Sequence, residues 1–149
     1  LTIIDDYGHH PAEIRATLAG ARAGFRRRVV ACFQPHRYTR TRDLLGEFAR
    51  AFHEADLVFV SDIYAAGEDA IPGVSSETLV RLMREQGHPA AHWVPRRADV
   101  IAKLGPALRP GDMLITLGAG DVWMVGEDAL AWLRAHEPAT AATPLREVR

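Results

Sequence analysis

The stretch RVVACFQPHRYTR, from Arg28 to Arg40, combines an apolar run with a polar, basic turn. An apolar run of this length, rich in branched residues, predicts a buried β-strand. Beyond the turn, apolar residues recur at the spacing of a helix that packs on a core: Leu44, Phe48, Phe52 and Ala55. The stretch therefore predicts a strand, a turn and a helix that returns along the strand, which is the repeating unit of an α/β fold.

Similar units are found along the rest of the chain. Five apolar runs alternate with amphipathic stretches, and the runs are Leu1 to Ile4, Arg28 to Phe33, Leu57 to Ser61, Ala91 to Val94 and Met113 to Leu117. Strands that alternate with helices are typical of a parallel sheet covered on both faces. We therefore predict a Rossmann-like, doubly wound α/β fold with a mainly parallel sheet of about five or six strands and helices on both faces.

Capping residues predict where three of the helices begin. Pro11 suits the first position of a helix, because its fixed φ angle is preorganised for helical geometry. Thr39 or Thr41 is expected to cap the helix after the basic turn, and Ser75 or Ser76 the following one, since hydroxyl oxygens accept hydrogen bonds from free helical N–H groups.

The chain has 149 residues, the size of one ordinary domain. We expect residues 1–136 to form this domain. From residue 137 to residue 149 the hydrophobic periodicity disappears and Ala, Thr and Pro become frequent, which predicts a flexible tail. Because Leu1 lies directly in a strand-like run and is not Met, we expect the chain to be a piece of a longer protein.

Composition excludes several functional classes. Hydrophobic residues make up 48% and charged residues 25% of the chain, and the net charge is -1. That charge gives no basic surface for nucleic acid, so no nucleic-acid partner is expected. The longest apolar runs have the length of strands, so no membrane partner is expected either. Cys32 lies in an apolar run, which predicts a buried thiol and favours the reducing cytoplasm.

The first polar turn is DDYGHHP, from Asp5 to Pro11. Carboxylates, a phenol and imidazoles at the end of a strand can bind ribose hydroxyls or approach a bound cation. In the structural alternative, Asp5 or Asp6 caps the strand end, and His10 is restricted to an extended conformation by the proline that follows it. The residues alone do not decide between these two roles.

The second polar turn places His36, Arg37 and Arg40 within one helical turn after an apolar strand. Guanidinium groups bind carboxylate or phosphate through two hydrogen bonds. In the alternative interpretation, these residues form a solvated basic helix start. Cations at a helix N-terminus oppose the helix dipole, however, and so need another reason to be there. We therefore favour an anion-binding site in this turn.

Other motifs are weaker. IYAAGE, from Ile63 to Glu68, is a third unusual turn to which no role is assigned. Gly118 to Asp121 follows a strand and opens a helix, but it lacks the full glycine pattern of a dinucleotide-binding turn. His88 and His92 have the spacing of helical zinc ligands, but Pro89 lies between them, so no metal site is predicted. A phosphate-binding P-loop with its lysine is missing from the sequence.

Taken together, DDYGHHP, FQPHRYTRT (Phe33 to Thr41) and IYAAGE closely resemble the C-terminal domain of the Mur ligases. The alanine-adding branch of the family matches best, and FQPHRYTRT is the motif that discriminates it. The resemblance covers about the first 135 residues and ends at the predicted tail. It implies that an N-terminal domain for the UDP-sugar and a central P-loop ATPase domain are missing from this chain.

The resemblance also implies the activity. The full enzyme would use ATP and Mg²⁺, bound mainly by the central domain, to join L-alanine to UDP-N-acetylmuramate through an acyl phosphate in peptidoglycan precursor synthesis. Asp6 resembles the residue that reaches the nucleotide ribose. Six residues resemble the shell around alanine and the acyl phosphate: Tyr7, His9, His10, His36, Arg37 and Arg40. Of these, His10 can belong either to this shell or, with Asp6, to the nucleotide site. The isolated domain is expected to be inactive.

Three alternatives remain at this point. The related ligase that recycles murein tripeptide shares the first motif, but a different arginine-bearing turn is expected there in place of His36 to Arg40. The chain can also be a stand-alone Rossmann-like module for an anionic small molecule. Finally, it can be a structural or interaction domain in which the polar turns are only caps.

Overall fold

The computed structural model describes residues 1–137 and 146–148. The strands of the described chain are β1 (Thr2–Asp6), β2 (Val29–Phe33), β3 (Leu57–Val60), β4 (Ala91–Trp93), β5 (Met113–Leu117) and β6 (Arg146–Val148). They form one sheet in the order β4-β3-β2-β5-β1-β6, and every pair of neighbouring strands is parallel. The predicted parallel α/β sheet is confirmed. Four of the five predicted apolar runs contain one whole strand, whereas β1 extends past the first run, which ends at Ile4, to Asp6.

The helices of the described chain connect these strands. They are α1 (Pro11–Gly24), α2 (Tyr38–Asp43), α3 (Leu45–Ala49), α4 (Ser76–Glu85), α5 (Val100–Ala107) and α6 (Met124–His136), with a 3₁₀ turn at Arg97–Asp99. Within the described residues, no helix is both long enough and apolar enough to cross a bilayer.

Two hydrophobic cores cover the two faces of the sheet. Along β2, Val29, Ala31 and Phe33 belong to one core, whereas Val30 and Cys32 belong to the other. The first core includes buried residues of α1, α3 and α4, and the second includes buried residues of α5 and α6. Because successive side chains of a strand point to opposite faces, helices on both sides explain why β2 is apolar at every position. Burial also raises the pKa of the Cys32 thiol, which keeps it protonated.

The predicted starts of α1 and α4 are confirmed. Pro11 is the first residue of α1, and Nδ1 of His10 accepts a hydrogen bond from the Ala12 N–H at 3.4 Å. For α4, Oγ of Ser75 accepts from the Thr78 N–H at 3.1 Å.

The predicted cap of the helix after the basic turn is wrong. Arg37 occupies the N-cap position of α2, with a φ of 75° and no side-chain capping bond, while Thr39 and Thr41 lie inside the helix. The Thr41 hydroxyl instead donates to the Arg37 carbonyl at 2.8 Å. The apolar stripe is divided between two short helices, because α2 ends at Asp43 and α3 begins at Leu45.

Part of the predicted tail lies in the sheet. Residues 138–145 and 149 are outside the described residues, but Arg146–Val148 forms β6 and pairs with β1, where Thr2 is opposite Arg146. Hydrophobic periodicity did not indicate this strand. Three residues are too few to show an alternating pattern, and backbone hydrogen bonds at the edge of a sheet form with any non-proline sequence.

Candidate functional site

Four polar turns lie at the carboxyl edge of the sheet. They follow β1, β2, β3 and β5, and these strands are neighbours in the order β3-β2-β5-β1. Because all four strands are parallel, the turns that follow them meet at one edge. The three turns identified from the sequence thus lie together with the turn from Gly118 to Asp121.

The first turn is organised by its own carboxylates. The Asp6 carboxylate accepts from the Gly8 N–H at 2.7 Å through Oδ1 and from the Thr17 hydroxyl at 2.6 Å through Oδ2. The Asp5 carboxylate accepts from the Thr116 hydroxyl of β5 at 2.7 Å. Both aspartates therefore have the structural role that the alternative interpretation gave them. The half-buried Asp6 carboxylate still has lone pairs available for a ligand.

A row of rings joins the first three turns. The ring centroids of Tyr7 and His9 are 5.5 Å apart, and those of His9 and His36 are 5.9 Å apart. His36 in turn stacks on Tyr64 at 5.6 Å with an interplanar angle of 9°. Tyr7, at one end of the row, is 70% exposed, and Tyr64, at the other end, is 43% exposed, so both ends of the row are open to solvent. His10 lies outside the row as the exposed N-cap of α1.

The two arginines of the second turn have different surroundings. Arg37 is exposed and precedes α2. Arg40 is half-buried, and its Nη1 lies 3.0 Å from the His36 carbonyl oxygen and 3.3 Å from His36 Nδ1. The structure therefore holds Arg40 against His36 and leaves Arg37 in contact with solvent.

His36 is favoured in its neutral form. Its pKa is lowered first by burial, then by the charges of Arg40, His9 and Arg37, against the smaller opposite effect of Glu68. A guanidinium has only donors, so His36 Nδ1 must accept the hydrogen bond from Arg40. The ring hydrogen is then on Nε2, and His36 can donate it to an oxygen of a ligand.

The third turn supports the second. Glu68 accepts from the Thr39 N–H at 3.2 Å through Oε1 and from the Thr39 hydroxyl at 2.6 Å through Oε2. The hydrogen bond from the Thr39 side chain is the main cause that lowers the pKa of Glu68. The backbone of Tyr64 also forms two hydrogen bonds with the second turn. Its N–H donates to the Pro35 carbonyl and its carbonyl accepts from the Arg37 N–H, each at 2.8 Å.

The sequence interpretation missed the centre of this edge. Gln34 is buried, its Nε2 donates to Oδ1 of Asp121 at 2.8 Å, and its Oε1 has no hydrogen-bond partner among the described residues. A Cβ on Gly120 would lie 2.5 Å from that Oε1 and 2.8 Å from Tyr64 Cδ2. The backbone of the fourth turn thus packs directly against Gln34 and Tyr64. A polar residue at the end of an apolar strand and the Gly-Ala-Gly sequence were the available indications.

His88, one of the two histidines with the spacing of zinc ligands, lies away from this edge. The residue is buried, its Nε2 lies 3.1 Å and 2.9 Å from the carbonyl oxygens of Phe52 and Ala55, and its Nδ1 accepts from the Ala90 N–H at 3.2 Å. His88 therefore links backbone segments in the interior. Among residues 1–137 and 146–148, no three His, Cys, Asp or Glu side chains are grouped as a metal site.

Known sequences show similarity along most of the chain. The family model described as "Mur ligase, glutamate ligase domain" matches residues 1–120. A UDP-N-acetylmuramate–L-alanine ligase from Anaeromyxobacter sp. (strain Fw109-5) is 55% identical over 135 residues, which are 91% of this chain and 29% of the relative. A ligase of the same name from Myxococcus xanthus (strain DK1622) is 52% identical over 90% of this chain and 28% of its own length. The chain thus spans less than a third of these relatives.

Solved structures show the same fold. A murein peptide ligase from Psychrobacter arcticus 273-4 matches with a TM-score of 0.69 and 19% identity over 88% of this chain and 27% of that chain. A UDP-N-acetylmuramoyl-L-alanyl-D-glutamate–2,6-diaminopimelate ligase matches with a TM-score of 0.65 and 18% identity over 91% of this chain and 30% of that chain. At these identities the structures support the fold alone. The family model, in contrast, covers most of the sequence. The chain therefore belongs to the Mur ligase family as its C-terminal, glutamate ligase domain.

Proposed function

We propose that this chain is the C-terminal domain of a cytoplasmic, ATP-dependent ligase that joins L-alanine to UDP-N-acetylmuramate. The observation that carries the proposal is sequence similarity. Over nine-tenths of the chain, 55% and 52% of the residues are identical to those of two relatives named for that reaction. Its partners are the N-terminal and central domains of the same full-length protein. The product would be a precursor of peptidoglycan.

The arginine-bearing turn supports an amino-acid site. Alanine has a methyl group, an amine and a carboxylate, so most of its binding free energy must come from the two polar groups. Arg37 and Arg40 provide guanidinium donors for the carboxylate, and His36 provides an Nε2–H beside them. Tyr7 and His9 flank this group in the row of rings. We propose that these side chains orient alanine for attack on an activated carboxyl group.

ATP with Mg²⁺ would supply the phosphoryl group that activates the muramoyl carboxylate. The chain lacks a P-loop sequence, and its described residues contain no grouped metal ligands. We propose that the phosphates and Mg²⁺ bind mainly to the central domain, as the resemblance to the Mur ligases implies. Asp6 is proposed to accept hydrogen bonds from the ribose hydroxyls while it holds the first turn, since each carboxylate oxygen can accept more than one bond.

The tripeptide-recycling ligase is less favoured. The sequence relatives at 55% and 52% identity are named as alanine ligases, whereas the likeness to the murein peptide ligase among the solved structures concerns the fold alone.

Full-length protein tests the proposal directly. We expect phosphate release from ATP that requires both UDP-N-acetylmuramate and L-alanine, and we expect the isolated chain to release none, because it lacks the P-loop. Phosphate release that depends on murein tripeptide in place of alanine would assign the protein to the recycling ligase. Alanine-dependent phosphate release from the isolated chain would contradict the assignment of the nucleotide phosphates to another domain.

A further inference from the structure

The backbone of the arginine-bearing turn is unusual. Arg37 has a φ of 75°, a left-handed conformation that is unfavourable for residues other than glycine and occasionally asparagine or aspartate. It also stands at the N-cap position of α2 without a side-chain capping bond. The turn therefore depends on contacts from elsewhere in the chain to keep its conformation.

Those contacts come from the turn after β3. Ala66 and Gly67 have φ values of 51° and 86°, and the Glu68 N–H donates to the Ala65 carbonyl at 3.0 Å. This fold-back brings the Glu68 carboxylate to Thr39, where it receives both the backbone N–H and the hydroxyl. Glu68 thus provides the capping acceptor that α2 does not have within its own sequence.

A carboxylate beside an anion site would ordinarily compete with the ligand for the arginines. Here each Glu68 oxygen accepts a hydrogen bond from Thr39, and in the described part of the chain Glu68 forms no ion pair with Arg37 or Arg40, although the charge of Arg37 contributes to the lowered pKa of Glu68. The carboxylate can therefore fix the turn while the guanidinium groups stay available for a ligand.

We propose that Glu68 is a positioning residue for the amino-acid carboxylate, which acts through Thr39 to hold Arg37 and Arg40 in their binding geometry. This inference rests on the proposed function of the arginine turn. Thr39 lies between the two arginines in sequence, so a shift of Thr39 moves both of them. Glu68 itself makes no contact with the substrate.

Steady-state kinetics on the full-length protein tests the proposal with four variants. Glu68→Ala removes both acceptors, Thr39→Val removes the hydroxyl at nearly constant volume, and Thr39→Ser keeps it. Asp69→Ala is the matched control, because it removes an exposed carboxylate from the same turn. We expect Glu68→Ala and Thr39→Val to raise the KM for alanine by about tenfold and the KM for ATP by less than about twofold.

Thr39→Ser and Asp69→Ala should stay within about twofold of the wild type in both KM values. The double variant Glu68→Ala/Thr39→Val should be no worse than Glu68→Ala alone, because both substitutions break the same contact. An equal rise of both KM values, additive effects of the two substitutions, or a Thr39→Ser variant as impaired as Thr39→Val would overturn the proposal.

Amide hydrogen exchange on ligand-free protein separates this inference from the proposed function. In the wild type, the Thr39 N–H is bonded to Glu68 and should exchange slowly, and Thr39→Val or Glu68→Ala should accelerate exchange across residues 37–41 by about tenfold. If the wild type shows no use of alanine, the proposed function fails whatever the exchange data show. If exchange in this segment is unchanged by both substitutions, Glu68 does not hold the turn, whatever the enzyme's substrate.

Discussion

Replacing Arg40 should affect both ligand binding and the protonation of its neighbour. In Arg40, Nη1 is occupied by the His36 carbonyl and Nδ1, which leaves Nε and Nη2 for a carboxylate. A hydrogen bond to a charged group contributes about 1.5–3 kcal/mol. In the full-length enzyme, Arg40→Ala should therefore lower kcat/KM for alanine by roughly tenfold to a hundredfold, since about 1.4 kcal/mol corresponds to a factor of ten.

The same substitution should raise the pKa of His36. Burial is the first cause that lowers this pKa, and the charge of Arg40 is the second, followed by His9 and Arg37, with Glu68 opposing them. Without Arg40, His36 should gain its proton at a higher pH. If the neutral ring is needed, the acid limb of kcat/KM for alanine should move to higher pH in Arg40→Ala. Arg40→Lys keeps the charge, so it should retain the pH profile and recover only part of kcat/KM.

Kinetics from about pH 5.5 to 8.5 on the full-length variants provide the measurement, a range that spans the ordinary histidine pKa. Arg26→Ala serves as the control, because Arg26 is an exposed arginine outside the site. Wild-type kcat and KM for alanine in a normally folded Arg40→Ala variant would refute the role of Arg40 in binding. Complete recovery of kcat/KM by Arg40→Lys would reduce that role to charge alone.

Three further predictions concern Asp6, Gly120 and His36. Asp6→Ala should raise the KM for ATP severalfold. Thr17→Val, which removes only the 2.6 Å hydrogen bond from Thr17 to Asp6, should raise this KM less. Equal effects of the two substitutions would restrict Asp6 to its structural role. Gly120→Ala should lower the free energy of unfolding by about 1–3 kcal/mol, because its Cβ would overlap Gln34, whereas Gly20→Ala in α1 meets no atom within 4 Å and should leave the melting temperature unchanged or higher. The pKa of His36 is lowered in the folded chain, so the stability contributed by its neutral ring is fully present above the ordinary histidine pKa of about 6.5. That contribution is lost as the pH falls through the folded pKa. Between about pH 7.5 and 5.5, the melting temperature should therefore fall less in His36→Gln than in the wild type.

The fold could be predicted because its main determinants are local. Each position of β2 and β5 is buried, and a short run of five residues that is apolar throughout, or apolar except for Thr116 in β5, is typical of a strand covered on both faces. Pro11 and Ser75 likewise act within one helical turn of their own positions. Periodicity and capping residues contain this information, so a single sequence was sufficient to place most strands and two helix starts.

The site was predicted only in part, because its decisive contacts join distant segments. Glu68 and Thr39 are 29 positions apart, and Gln34 and Asp121 are 87 positions apart. No local pattern indicates that a glutamate in one turn caps the helix after another turn. The local pattern therefore predicts that Thr39 caps the helix, whereas in the structure Thr39 donates its N–H and its hydroxyl hydrogen to Glu68. Arg37 and Arg40 were identified by their charge, but their different surroundings depend on the His36 contact.

The exposure of this edge bears on the proposed binding of alanine. Tyr7 and Tyr64, at the two ends of the row of rings, are 70% and 43% exposed, and Trp123 beside the fourth turn is 48% exposed. A ligand as small as alanine placed on this open edge would contact the protein on one side only. Hydrogen bonds from Arg37 to its carboxylate would then compete with bulk water, and their net contribution would be small. Closure of a second domain over the edge would exclude water and strengthen the same hydrogen bonds, which is why the arginine variants must be measured in the full-length enzyme.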